Sequence, residues 1–286
     1  MSRIAYVNGR YDPHSEARVH IEDRGYQFAD GVYEVCEIWN SHVVDETRHL
    51  DRLERSLGEL QIRMPMGRAA LRVVLREVIR RNRVRDGMVY LQVTRGVARR
   101  DHYFPPENTR PALVVTARSV ARAKGDRMAR EGVSVITVPE NRWERVDIKS
   151  VSLLPNVLAK EQAKAAGARE AWFIDRDGFV TEGASTTAWI VTSGGTLVTR
   201  PNGTGLLPGV TRLTASDVAR REGIPLEERK FTAAEAQAAS EAFMTAASTL
   251  VMPIVSINGK PVGDGKPGPI AQRLRAAFHS VAEKLT

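Results

Sequence analysis

Apolar residues recur along the chain with two periods. Leu50, Leu53, Leu57 and Leu60 keep the i, i+3, i+4 spacing of one helix face and predict a helix over 47–62, with Thr47 as its N-cap. Leu71, Val74, Leu75 and Val78 do the same within 67–84, ahead of Asp86-Gly87. Further helices are predicted over 156–166, stopped by Gly167; over 210–222, stopped by Gly223 before Pro225; and over 269–284. Short β-branched runs bounded by turn residues predict strands. Residues 1–11 read as a strand (Ile4, Tyr6) and a turn (Asn8-Gly9). Val32, Val35, Ile38 and Trp39 read as a strand that turns at Asn40-Ser41-His42 into Val43-Val44. The same signals mark 88–94, 112–117, 133–138, 171–174, 188–191, 226–231, 242–245 and 254–257, with hairpins at Asp177-Gly178 and Gly194-Gly195.

Between Arg118 and Arg130 the apolar patterning fades into arginine, alanine and Gly125. The chain therefore reads as a small domain over 1–119, a linker over 120–130 and a larger domain over 131–286. Strands and helices mix without a regular βαβ rhythm and no repeat of fixed period appears, so both domains read as α+β.

Composition narrows the function. A chain of 286 residues with 42% hydrophobic and 27% charged content is long enough for two cores. No apolar run is long enough to span a bilayer, and residues 1–11 do not read as a signal peptide, lacking its basic start and long apolar stretch. The single cysteine, Cys36, cannot pair within the chain, which fits a reducing cytoplasm. The formal charge of +8 would suit a nucleic-acid binder, but the basic residues are spread along helices and interleaved with acids, as from Arg76-Glu77 to Arg85. With no nucleic-acid motif beside them, they read as a soluble surface. No Cys/His cluster has metal-site spacing.

Six short segments carry candidate chemistry: Gly31-Val32-Tyr33-Glu34, His49-Leu50-Asp51-Arg52-Leu53, Arg100-Asp101-His102, Asp147-Ile148-Lys149-Ser150, Thr181-Glu182-Gly183-Ala184-Ser185 and Leu207-Pro208-Gly209-Val210-Thr211-Arg212. Alone, each has a plain alternative. Lys149 reads as a loop lysine, Arg52 as a surface helix residue, Glu182 as a solvated acid, and 207–211 as an ordinary helix start. In this order and spacing they resemble the fold-type IV enzymes that use pyridoxal 5'-phosphate (PLP), the branched-chain/D-amino acid aminotransferase family. The resemblance spans nearly the whole chain. It implies an α+β fold of two domains: a small N-terminal α/β domain and a larger C-terminal domain with a mostly antiparallel β core.

The resemblance also assigns roles. Lys149 would hold PLP as a Schiff base and then move the α-proton. Glu182 would keep the pyridine nitrogen protonated, so that the ring works as an electron sink. Arg52, Gly209 and the Val210-Thr211 amides at a helix N-terminus would hold the phosphate, with Leu207 against the ring. One departure stands out. Many relatives place a phosphate-binding threonine where Ala247 falls, so an Ala247 amide or the Ser248 hydroxyl would have to substitute. Tyr33, Arg100 and His102 match the carboxylate-binding set of the D-amino acid aminotransferases, in which the Arg-x-His pair comes from the neighbouring subunit of a homodimer. The branched-chain enzymes usually carry a tyrosine five residues after the lysine, where this chain has Leu154. The expected reaction is ping-pong transfer of the amino group from a D-amino acid, such as D-alanine or D-glutamate, to a 2-oxo acid. The alternatives are aminodeoxychorismate lyase and branched-chain L-amino acid transamination on the same fold, with (R)-amine activity open.

Overall fold

The computed structural model describes residues 3–285; Met1, Ser2 and Thr286, at the outer ends of the two predicted domains, lie outside the described residues. The chain divides into two compact units. One holds the residues up to Ala121, the short return Ile148–Ser152 and the chain end from Glu283; the other holds Arg122–Asp147 and Leu153–Ala282.

The first unit is built on an antiparallel sheet. Strands β1 (Ile4–Val7) and β2 (Arg10–Pro13) form a hairpin across Asn8-Gly9. Strands β3 (Gly31–Trp39) and β4 (His42–Val44) turn through Asn40 and Ser41, both left-handed (φ 50° and 69°), as a two-residue type I′ hairpin requires. With β5 (Gly87–Thr94), β6 (Ala112–Ser119) and the last strand Lys284–Leu285, the order is Lys284–Leu285, β4, β3, β5, β6, β1, β2. Three helices accompany the sheet: α1 (Arg24–Phe28), α2 (Glu46–Glu59) and α3 (Arg68–Arg81). The leucine stripe of α2 (Leu50, Leu53, Leu57) and that of α3 (Leu71, Val74, Leu75, Val78) join Val32, Cys36, Ile38, Val89 and Leu91 in one core. Each such side chain contributes roughly 1.5–3 kcal/mol by leaving water. Because side chains alternate along β3, Glu34 points to the same buried face as Val32 and Cys36, while Tyr33 points to the other.

Thr47 does not cap α2. The helix starts one residue earlier, after Asp45 in a left-handed conformation with no side-chain cap bond. Thr47 instead donates its amide to Glu283 Oε2 and its hydroxyl to Glu283 Oε1, both at 2.9 Å. A carboxylate from the far end of the chain satisfies the helix start, a partner that local sequence cannot reveal.

The second unit contains helices α4 (Arg122–Glu131), α5 (Leu154–Ala165), α6 (Val210–Arg221), α7 (Ala233–Ala238) and α8 (Pro269–Val281). Its strands are β7 (Val133–Pro139), β8 (Glu170–Ile174), β9 (Val180–Gly183), β10 (Thr187–Val191), β11 (Leu197–Thr199), β12 (Leu226–Glu228), β13 (Glu241–Ala246), β14 (Leu250–Ile257) and β15 (Lys260–Pro261). They form one sheet in the order β12-β11-β10-β13-β14-β7-β8-β9, with β15 on β14. Three pairs are parallel (β11/β12, β14/β7 and β7/β8) and the rest antiparallel. β10 is buried along its whole length, which is why its sequence runs apolar without alternating.

Two expectations change here. The stretch read as a linker holds α4, whose one buried residue is Ala129; its apolar residues are few, so no stripe of leucine or valine marks it. The last helix ends at Val281 rather than 284. Ala282 leaves the helical region (ψ 139°), and Lys284–Leu285 pairs with β4.

Candidate active site

In the first unit, the Ile148–Ser152 return runs beside the start of β3. Tyr33 N donates to Lys149 O and Val151 N to Gly31 O, both at 3.0 Å, while Lys149 N donates to Ser56 Oγ on α2 at 3.3 Å. The backbone of Lys149 is thus fixed on both sides. Its Nζ lies 4.1 Å from the centroid of the Tyr33 ring. Tyr33 in turn neighbours Tyr90 on β5, ring centroids 5.7 Å apart, and the Tyr90 hydroxyl donates to Gln92 Oε1 at 2.6 Å. Burial, with a smaller push from Tyr33, raises Tyr90 to about 12, so it stays a neutral phenol across the working range. Lys149 and Tyr33, read separately from the sequence, are therefore neighbours.

Arg52 is no surface residue. Its Nε and Nη2 donate to the two oxygens of Glu34, each at 2.7 Å, and His49 Nδ1 shares a 2.7 Å hydrogen bond with Glu34 Oε2. Glu34 is fully buried. Burial alone would raise its carboxyl, but the charge and hydrogen bonds of Arg52, with those of His49, outweigh it and hold it at about 2. Glu34 holds Arg52 in a forked pair, a partnership that the strand motif alone does not reveal.

Arg100 and His102 lie on the exposed loop between β5 and β6, both close to the Phe28 ring. The Arg100 guanidinium is 5.0 Å from the Phe28 centroid and the His102 ring 5.7 Å from it. Arg24 of α1 donates to the Asp101 carbonyl at 2.7 Å and to Asp30 at 2.8 Å, which anchors the loop between them. Among the described residues no hydrogen bond or ring contact links the pair to Tyr33 or Lys149.

In the second unit, Glu182 sits on β9, 5% exposed. Arg142 Nη1 donates to it at 2.5 Å, and the Leu207 amide faces both its oxygens at 3.4 Å. Burial pushes the Glu182 carboxyl up; the opposing pull of Arg142 does not overcome it. Arg142 is itself held by Glu140, through Nε at 2.9 Å and Nη2 at 2.6 Å, over the Phe173 ring at 4.4 Å, and Thr181 Oγ1 donates to Glu140 at 2.7 Å. Gly183 next door is closely packed: a Cβ there would stand 2.1 Å from Thr186 Oγ1, so the Thr186 side chain would have to move. Arg142 and Glu140 belong to no motif in the sequence; only the fold sets them beside Glu182.

Leu207 leads into α6, so the Glu182 carboxylate and the helix start are joined through one amide. Gly209 is the N-cap of α6 and supplies no side-chain cap bond, although Val210 and Thr211 are 3% and 6% exposed. A buried helix start whose first amides lack a side-chain cap suits an anion. Ala247 and Ser248 form the turn between β13 and β14; Ala247 is half-buried and Ser248 exposed. Thr249 Oγ1, next in line, is buried without a hydrogen-bond partner.

Each unit carries donors whose chemistry suits PLP: the first an amine on an ordered segment, the second a buried carboxylate for a ring N–H and an uncapped helix start for a phosphate. Among the described residues no group of three or more His, Cys, Asp or Glu could hold a metal, and no helix is long and apolar enough to cross a membrane.

Comparison with known proteins agrees. The family "Amino-transferase class IV" matches residues 31–257. The chain is 40% identical over 273 residues to a D-alanine aminotransferase of Bacillus licheniformis, covering 96% of this chain and 95% of that one. It is 37% identical over 278 residues to the D-alanine aminotransferase of Staphylococcus haemolyticus, 97% of each. Among solved structures, the branched-chain amino acid aminotransferase of Escherichia coli superimposes with a TM-score of 0.88 at 22% identity, covering 98% of this chain and 95% of that one. The branched-chain aminotransferase of Thermoproteus uzoniensis with norvaline gives 0.85 at 25% identity, with 99% of each covered. Another branched-chain amino acid aminotransferase, solved with pyridoxamine 5'-phosphate, gives 0.88 at 25% identity, with 98% and 94% covered.

Proposed function

The chain belongs to the class IV aminotransferase family, and we propose that it is a PLP-dependent transaminase that moves the amino group of a D-amino acid, such as D-alanine or D-glutamate, to a 2-oxo acid. What carries this reading is the 37–40% identity to D-alanine aminotransferases over nearly the full length, together with the Arg100–His102 pair beside Phe28.

When bound, the cofactor supplies an aldehyde that takes the amino group and a ring that accepts the electron pair left at Cα. The chain does the rest. Lys149 would hold the cofactor through its amine, and the same amine would carry the proton to and from Cα. Glu182 holds a proton at the ring nitrogen, and Arg142 fixes the orientation of that carboxylate. The Val210 and Thr211 amides and the Thr211 hydroxyl would hold the phosphate, beside Gly209, with Arg52 adding charge and Leu207 against the ring. Ala247 and Ser248 contribute through the turn after β13. Tyr33, Arg100 and His102 bind the substrate carboxylate, a set that leaves the α-hydrogen of one enantiomer toward Lys149.

The reading includes a homodimer with a shared site, in which Arg100 and His102 serve the second copy; their exposure and lack of contact with Lys149 in their own chain support this. It also places the enzyme in the cytoplasm, where the buried thiol of Cys36 stays reduced.

The test is a donor comparison. With 2-oxoglutarate as acceptor, D-alanine should give D-glutamate and pyruvate at a kcat/KM well above that for L-leucine. A preference for L-leucine would replace the D-amino acid reading with the branched-chain one, and elimination without amino transfer would favour a lyase.

A further inference from the structure

A second strand contributes to the helix start at α6. Thr187 opens β10 and is 5% exposed, yet its hydroxyl has no hydrogen-bond partner among the described residues. Its Oγ1 lies 2.8 Å from where a Cβ on Gly209 would stand, over the N-cap of α6. Helix starts are normally closed by a Ser, Thr, Asp or Asn at that position. Here Gly209 leaves the first turn open, and β10 brings a hydroxyl from outside the helix to the same spot.

The surroundings offer this hydroxyl little else. Thr187 pairs in register with Thr245 on β13, but Thr245 Oγ1 already accepts from Trp189 Nε1 at 3.0 Å. The residues after it, Ala246 and Ala247, carry no hydroxyl. Thr211, a residue 6% exposed, also has a hydroxyl with no partner among the described residues. Both side chains are buried, yet neither hydroxyl is sealed off, so each stays open to a ligand oxygen. Two such hydroxyls beside an uncapped helix start call for a ligand with several acceptor oxygens, which a phosphate group is.

We propose, resting on the reading of this protein as a PLP enzyme, that Thr187 Oγ1 donates a hydrogen bond to the cofactor's phosphate and is a binding residue of that subsite. The role is confined to the phosphate: Thr187 has no part in the chemistry at Cα.

The experiment titrates apoprotein with PLP and, separately, with pyridoxal, which lacks the phosphate, following tryptophan fluorescence. Thr187→Val should weaken PLP about tenfold, as expected for one hydrogen bond to a charged group, and leave pyridoxal unchanged. Thr187→Ser, which keeps the hydroxyl, should retain the wild-type ratio of the two affinities. The ratio is the readout because a folding defect lowers both affinities together. An unaltered ratio in Thr187→Val overturns the proposal, as does a Thr187→Ser variant that behaves like Thr187→Val. If the wild type binds neither compound, the functional reading itself falls. If it binds PLP and only the ratio fails to move, the reading stands and Thr187 alone is removed from the site.

Discussion

The Arg142 guanidinium donates to Glu182 at 2.5 Å from a side chain that is only 5% exposed. Glu140 and Thr181 hold it there, so the charge facing Glu182 is fixed before any ligand arrives. Burial raises the Glu182 carboxyl and Arg142 opposes that rise.

Replacing Arg142 with leucine should therefore raise Glu182 further. Glu182 would then ionise only at higher pH, and the acid limb of the kcat/KM profile should move upward. Arg142→Lys keeps the charge and should shift less. A Leu variant with the wild-type profile would mean that Arg142 only supports the fold.

The Glu34–Arg52 pair predicts how stability depends on pH. Glu34 is lowered from 4.5 to about 2, so its ionised form stabilises the fold at every pH above its unfolded value. That contribution, on the order of 3 kcal/mol, should be complete above about pH 5 and fade as pH falls toward 2. Urea unfolding of wild type and Glu34→Gln across pH 2–7 checks it; a stability difference that does not shrink on the acid side contradicts it. Arg52→Ala strands a buried carboxylate and should cost about 3–5 kcal/mol.

Borohydride reduction of the holoprotein followed by peptide mapping should place the cofactor on Lys149. Lys149→Ala should reduce transamination by several orders of magnitude while the protein stays folded. An adduct on Lys160 or Lys164 would sink the assignment.

Arg100→Ala should raise KM for D-alanine and D-glutamate about ten- to a hundredfold, the worth of a charge-assisted pair. An amine donor without a carboxylate should be affected far less. Equal loss with both donors would point to general damage of the loop around Phe28.

What could be read from the sequence follows from how local each signal is. The stripes of α2 and α3 and the Asn40-Ser41 turn were legible because spacing and turn chemistry act over a few residues. The cap of α2 was not, because Glu283 lies 236 residues from Thr47. Helix α4 escaped because it buries one residue. The same divide runs through the candidate site. Lys149, Glu182 and the 207–211 turn fall in contiguous segments, whereas Arg142 and Thr187 gain meaning only from what the fold sets beside them. Glu34 looked like any strand acid until α2 placed Arg52 and His49 on its buried face.

One measurement bears on the central claim most directly: the absorbance spectrum of the purified protein before and after D-alanine, and then L-leucine, with no acceptor present. The account predicts a visible band from lysine-bound cofactor that D-alanine bleaches, with release of one pyruvate per site, and that L-leucine leaves largely intact. A colourless protein, or a band bleached by L-leucine and untouched by D-alanine, would contradict it.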